Sequence, residues 1–310
     1  VGAYRGAADS DLAFALVFAI GFAVTSIPVI SRIFIDLGVM DTRFARLVLT
    51  TATIEDLVLW VALSVALAVA ADAAIDGGHL VAAAATTLGF LALSLLFGPR
   101  LVMRLAQHRR NALATAAPVA FLVLVCFAFA GVATLVDVNP MFGALIAGIV
   151  VGRLRGSHFD DARERVRSVG LATLVPLYFA LVGFELDLTA HFDLALVLAL
   201  FAGSSAVKMV SVWLGAHAAG CSRRAGLNLA LAMNARGGPG IVLGSLAYEA
   251  GIVDGRLFVA LIATALLTSV LSGAWLRHAL ERGEGSVDDA LLPPIDLGPG
   301  CDTLSPRRLG

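Results

Sequence analysis

Apolar residues in this chain run in blocks of about twenty or more, long enough to cross a bilayer as helices. No other feature restricts the fold as much. Between Arg46 and Asp72 the only charged residues are Glu55 and Asp56. Inside hydrocarbon every backbone N–H and C=O must be paired within the protein, so spanning helices are the expected solution. Composition agrees: 59% of the 310 residues are hydrophobic and 15% charged, against about 25% charged in a soluble domain. Mean hydropathy is +0.91. The expected fold class is therefore an all-α, polytopic membrane protein.

Several chemistries find no support. A net charge of −1 offers no footing for nucleic acid. Cys126, Cys221 and Cys301 are odd in number and scattered, so they supply neither a disulfide framework nor a CxxC metal spacing. The six histidines lie near span ends or in loops, and no HExxH, GxSxG or nucleotide-phosphate loop is present. No cofactor and no enzymatic reaction are expected.

The blocks predict nine spans, at roughly 12–34, 44–71, 79–105, 113–136, 139–153, 167–186, 193–217, 224–249 and 254–279. The fifth is short, and its Gly148 and Gly152 form a small-xxx-small pair expected to pack closely against a neighbour. Arginines fall in alternate connections. Arg32, Arg43 and Arg46 follow the first span. Arg100, Arg104, Arg109 and Arg110 follow the third. Arg153, Arg155, Arg163, Arg165 and Arg167 follow the fifth, and Arg223 and Arg224 follow the seventh. The intervening connections carry only Arg256. The positive-inside rule places the arginine-rich set in the cytoplasm. Residues 1–280 then form one transmembrane domain, and the polar, Gly- and Pro-rich residues 281–310 a disordered cytoplasmic tail.

Two segments resemble each other at a constant offset: "GVMDTRFARLVLTTA" (38–52) and "GIVDGRLFVALIATA" (251–265). Each follows a span interrupted by proline, at "VTSIPVI" (24–30, with Pro28) and "NARGGPGIV" (234–242, with Pro239). Seven spans separate the copies, so they point in opposite directions. Inverted repeats with broken spans at matching places are the sequence pointer to a secondary transporter. Glu55 and Asp56 have Thr268 and Ser269 as repeat equivalents, so the carboxylates belong to one copy only.

The ionisable residues inside the spans are few. A carboxylate at the bilayer centre costs at least about 2.5–3.5 kcal/mol, so it marks function by default. Neighbours on a helix point about 100° apart, which lets Glu55 and Asp56 face different surroundings. Lys208, the only lysine in the chain, sits too deep to snorkel fully to the interface and is expected to pair with Glu55 or Asp56. Arg236, at the second break, is expected to offset the partial charges of broken backbone. Thr25, Ser26 and Asn234 lie at the breaks, where they either ligate a cation or cap freed backbone groups. Glu185 and Asp187 read as a solvated face.

Four segments carry a family resemblance: "TSIPVISRIFIDLGVMDTRFARLVLTTATIEDL" (25–57), "VNPMFGALIAGIVVGR" (138–153), "VPLYFALVGFELDL" (175–188) and "MNARGGPGIVLGSLAYEAGIVDGRLF" (233–258). In combination the chain resembles the monovalent cation:proton antiporter-2 family, which includes Kef-type potassium efflux systems. The resemblance implies exchange of Na⁺ or K⁺ for protons by an elevator-type homodimer in the cell (inner) membrane, with two broken helices crossing near the bilayer centre. It assigns the essential, cation-carrying aspartate to Asp56 and the residue before it to Glu55. It assigns the lysine that pairs with that preceding residue to Lys208. Where many relatives have an acidic residue after the arginine, this chain has Gly237, Gly238 and Pro239. The family also has about four helices upstream of the first span, so the sequence reads as a fragment. The alternatives are a sodium-coupled organic-solute symporter of the bile-acid type and a non-transporting sensor or subunit. An intramembrane aspartyl protease would need a second mid-membrane aspartate on another span.

Overall fold

A computed structural model describes residues 4–8, 10–71, 77–108 and 111–281. Residues 282–310, with Cys301, lie outside the described set, as do Arg109 and Arg110. The described residues form fourteen α-helices in the order α1 (Asp11–Ala23), α2 (Ile27–Asp36), α3 (Arg43–Ala71), α4 (Gly77–Gln107), α5 (Ala112–Ala116), α6 (Pro118–Leu135) and α7 (Pro140–Gly152). There follow α8 (Ser157–Val169), α9 (Val175–Glu185), α10 (Leu188–His191), α11 (Leu194–Ala218), α12 (Arg223–Met233), α13 (Gly237–Glu249) and α14 (Gly255–Glu281). The fold is all-α and polytopic.

Local sequence explains where many helices begin. Asn139 and Ser222 place a side-chain oxygen on the N–H of Met141 and Ala225, at 2.8 and 3.2 Å. Asp193 does the same for Leu196 at 3.0 Å, and each thereby satisfies a donor that a helix start leaves free. Pro118 and Pro140 occupy first-turn positions, where a missing N–H costs nothing.

Among the described residues seven segments are long and apolar enough to cross a membrane: Asp11–Asp36, Arg43–Ala70, Val81–Gln107, Pro118–Leu135, Ser157–Phe184, Leu194–Ala218 and Gly255–Glu281. The two remaining predicted spans are different in kind. Helix α7 has 13 residues, or about 20 Å at 1.5 Å per residue, against a hydrocarbon core of about 30 Å. Helices α12 and α13 have 11 and 13 residues and reach spanning length only as a pair.

The sixth predicted span begins ten residues early. Arg163, Arg165 and Arg167, expected in a connecting loop, lie on α8. Its sequence is polar enough to read as loop, yet it buries Phe159 and Ala162 on one face. It also pairs Asp160 with Arg163 and Glu164 with Arg167 one turn apart. A π-helical turn, Gly170–Leu174, joins α8 to α9. Pro176 follows it, and a proline cannot donate to the carbonyl four residues back, so the wider turn absorbs the mismatch.

The chain divides into two compact units. The first comprises residues 1–20, 57–192 and 245–259. Its core gathers Phe121, Leu122, Val125, Phe142, Ile146, Val150 and Phe159 from α6, α7 and α8. Close packing here rests on Gly143: a Cβ at that position would stand 2.6 Å from the Phe129 carbonyl oxygen and 2.8 Å from Ala133 Cβ. Gly148 and Gly152, the pair expected to pack, are exposed, with nothing within 4 Å of an added Cβ. Spacing alone could not say which side of α7 meets α6.

The described part of the second unit comprises residues 21–56, 193–244 and 260–281. Ile30, Phe34, Phe44, Val48, Leu229, Met233 and Leu276 form its apolar core, with Phe34 and Phe44 edge to face at 5.8 Å. All the residues singled out at the two helix breaks, and the Glu55–Asp56 pair, fall in this unit.

Candidate functional site

The site begins with two prolines. Pro28 is the second residue of α2 and Pro239 the third of α13. A proline has no N–H, and its ring clashes with the carbonyl four residues earlier. Each chain therefore leaves the helix just upstream, over residues 24–26 and 234–236. At each break the last carbonyls of one half-helix and the first amides of the next lose their helical partners.

The two breaks satisfy each other. Ala235 O, the carbonyl that Pro239 deprives of a donor, accepts the Ser26 N–H at 2.6 Å. Met233 O accepts the Thr25 hydroxyl at 2.7 Å. Ser26 Oγ caps α2 by accepting from Val29 N at 3.4 Å. The Gly237 N–H donates to Ser269 Oγ at 3.2 Å. Gly237 has φ +36°, and an added Cβ would stand 2.2 Å from Val29 Cγ2 and 2.9 Å from Ser26 Oγ. Glycine is thus needed where the two breaks approach.

Two carbonyls at the end of α1 are taken by cations. Lys208 Nζ, on α11, donates to Ala23 O and to Glu55 Oε1. The Arg236 guanidinium donates to Phe22 O at 3.2 Å, and also to Ser204 Oγ and to Asn234 Oδ1 at 3.4 Å. Asn234 Nδ2 in turn donates to Ser205 Oγ at 3.1 Å. Two positive side chains therefore cover the negative end of the α1 half-helix.

The carboxylates differ. The Glu55 side chain is 23% exposed and ion-paired, its Lys208 partner 3% exposed; Glu55 Oε2 is buried with no hydrogen bond. Asp56, next along α3, is 7% exposed. Among the described residues it has no hydrogen-bond or ion-pair partner, although the charges of Glu55 and Lys208 reach it. Lysine pairs with the first carboxylate and leaves the second free.

The structure brings Thr25, Ser26, Asn234 and Arg236 together at the breaks and joins Lys208 to Glu55. Pro28 and Pro239 set where the breaks fall. Four contributors were not singled out in the sequence: Ser204, Ser205, Ser269 and the α1 carbonyls. Ser204 and Ser205 lie four and three residues before Lys208, so all three share one face of α11; a polar pair at that spacing in an apolar span was the available signal. Ser269 stands at the same 213-residue offset from Asp56 that separates the two resembling segments, and its hydroxyl receives the first amide of α13.

Comparison with known proteins gives a consistent result. A family model described as "Sodium/hydrogen exchanger, transmembrane" matches residues 2–282. The chain is 21% identical over 269 residues to the Na(+)/H(+) antiporter of Enterococcus hirae, covering 86% of this chain and 70% of that protein. It is 27% identical to K(+)/H(+) antiporter 1 of Saccharomyces cerevisiae, covering 84% of this chain but 30% of the yeast protein. It is 22% identical to probable Na(+)/H(+) antiporter 3 of Methanocaldococcus jannaschii, covering 85% of this chain and 68% of the relative. With nearly its whole length matched, the chain belongs to the transmembrane sodium/hydrogen exchanger family.

Proposed function

We propose that this protein exchanges a monovalent cation, Na⁺ or K⁺, for protons across the membrane, with Asp56 carrying the two ions by turns. One observation carries the reading: Asp56 is buried beside a Glu55–Lys208 ion pair, at two meeting helix breaks, with no partner of its own among the described residues. A carboxylate withdrawn from water needs a positive companion. Lys208 is engaged by Glu55 and Ala23 O, so that companion is either a proton or a metal cation. Competition between them for one carboxylate couples the two fluxes. Relatives named for Na⁺/H⁺ and for K⁺/H⁺ exchange agree with this chemistry.

The other residues then have supporting roles. Glu55 holds Lys208 in one state and releases it in another. Arg236 offsets the carbonyl end of α1. Thr25 and Ser26 spend their hydroxyls on backbone groups, which favours capping over cation ligation for them, and Asn234 braces Arg236. The protein works as a homodimer in the cell (inner) membrane with its C-terminal tail in the cytoplasm, the side assigned by the arginine-rich connections.

The test is reconstitution of the full-length protein in vesicles under an imposed pH gradient, with Na⁺, K⁺ or Li⁺ added in turn while lumenal pH is followed. Cation-evoked proton movement is expected, and Asp56→Asn should reduce it at least about 100-fold, as removal of an essential charged group does. A silent wild type, or an Asp56→Asn variant that exchanges normally, overturns the reading.

A further inference from the structure

We infer that Ser204 is a positioning residue: it holds the Arg236 guanidinium on the end of α1 and off Glu55, the carboxylate next to Asp56, so that the transported cation meets no built-in rival beside its site. The inference rests on the exchange reading above and adds to it what keeps the site open.

Two unsatisfied groups of opposite sign occupy the same site. Arg236 is 3% exposed and its Nε–H is buried without a partner. Glu55 Oε2 is likewise buried without a hydrogen bond. The two residues are close enough for their charges to interact. Guanidinium is permanently charged, and its fork fits a carboxylate in two parallel bonds. Both groups would gain by meeting, since a buried polar atom left unpaired is costly. They do not meet, so the guanidinium is held elsewhere.

The holders are visible. Ser204 Oγ accepts from one terminal nitrogen. The other terminal nitrogen donates to Phe22 O at 3.2 Å and Asn234 Oδ1 at 3.4 Å. Asn234 is itself fixed by Ser205. Ser204 lies one turn before Lys208 on α11, so the helix that pairs lysine with Glu55 also keeps arginine away from it. The chain lacks an acidic residue at 237–239, where it has Gly, Gly and Pro. With no carboxylate of its own there, Arg236 depends on neutral acceptors to stay in place.

The experiment measures the apparent KM and maximal rate of the wild type and variants for whichever of Na⁺ or K⁺ the wild type exchanges, in reconstituted vesicles. Ser204→Ala should raise KM at least about tenfold, the scale of one lost hydrogen bond to a charged group, while the maximal rate stays within about twofold. Ser204→Thr, which keeps the hydroxyl, should restore KM. Adding Arg236→Gln to Ser204→Ala should lower KM again, because the rival is gone; a merely structural role makes the double variant worse than either single one. If Ser204→Ala yields no folded protein, Ser204→Cys is read instead, since a thiol is a poor acceptor and should raise KM likewise. An unchanged KM in the alanine or cysteine variant, or no recovery in the double variant, overturns the inference. A wild type that exchanges nothing overturns the exchange reading itself, so the two failures are distinct.

Discussion

The two units of this chain bury different things. Among the described residues of the first, the buried polar ones are Ser64, Thr87 and Ser245, none of them charged, around a core of aromatic and branched aliphatic side chains. In the second, Asp56, Lys208 and Arg236 are buried together with Thr25, Ser26, Ser204, Ser205, Asn228, Asn234, Thr264, Thr268 and Ser272. Continuous helices satisfy their own backbone and can do without polar side chains. Broken ones cannot, and here their freed groups are met by hydroxyls, an amide and two cations. The difference teaches that part of the second unit's polar set follows from its two prolines: Thr25 and Ser26 bond groups the breaks free, and Lys208 and Arg236 cover the end of α1.

That contrast can be broken at its strongest point. Lys208→Met should leave Glu55, whose Oε2 is already buried and unbonded, without its ion-pair partner and Ala23 O without a donor. Removing one member of a buried pair costs about 3–5 kcal/mol, so thermal unfolding of the purified protein should show a large drop. Combining it with Glu55→Gln should recover part of the loss, because no uncompensated charge remains. Equal unfolding of single and double variants would mean that the pair contributes only packing.

A smaller effect tests the first unit. Gly143→Ala places a Cβ 2.6 Å from the Phe129 carbonyl oxygen, and overpacking of this kind costs about 1–3 kcal/mol. Gly148→Ala, with nothing within 4 Å, should stay within about 0.5 kcal/mol of wild type. The same thermal measurement should rank the two. A Gly148 variant as damaging as the Gly143 variant would show that the exposed face of α7 is covered in the membrane.

The smallest effect concerns charge at the surface of the first unit. Asp187 caps α10 by accepting from the Thr189 hydroxyl at 2.7 Å and from the Ala190 and Thr189 amides at 3.0 and 3.1 Å. The Thr189 hydroxyl first, and then the Ala190 amide, hold its carboxyl below the usual carboxylate range. A depressed folded value means that the cap is at full strength above the ordinary carboxylate pKa and is lost as pH falls through the folded one. Amide hydrogen exchange at Thr189 and Ala190 should therefore lose protection only as pH falls below the ordinary carboxylate range. Protection that fades near neutral pH would contradict this assignment.

Much was legible in the sequence. Long uncharged blocks fix spanning helices, because lipid leaves backbone groups no other partner. Pro28 and Pro239 mark the breaks, because a proline removes a donor wherever it stands. Asp56 and Lys208 stand out, because charge in hydrocarbon is expensive. Helix α8 was hidden by its polarity, since its buried face amounts to little more than Phe159 and Ala162.

What tertiary structure alone decided is the pairing. Periodicity puts Glu55 and Asp56 on different faces but does not say which one lysine reaches; that depends on where α11 lies against a residue 153 positions away. Nothing local says that Ser26 completes the carbonyl freed by Pro239, that Ser204 holds Arg236, or that Gly143 rather than Gly148 meets a neighbour. Sequence sets the length, the interruptions and the charge of each helix through short-range chemistry. The partner of each freed group is chosen by packing, which is a property of the folded chain and not of any one segment.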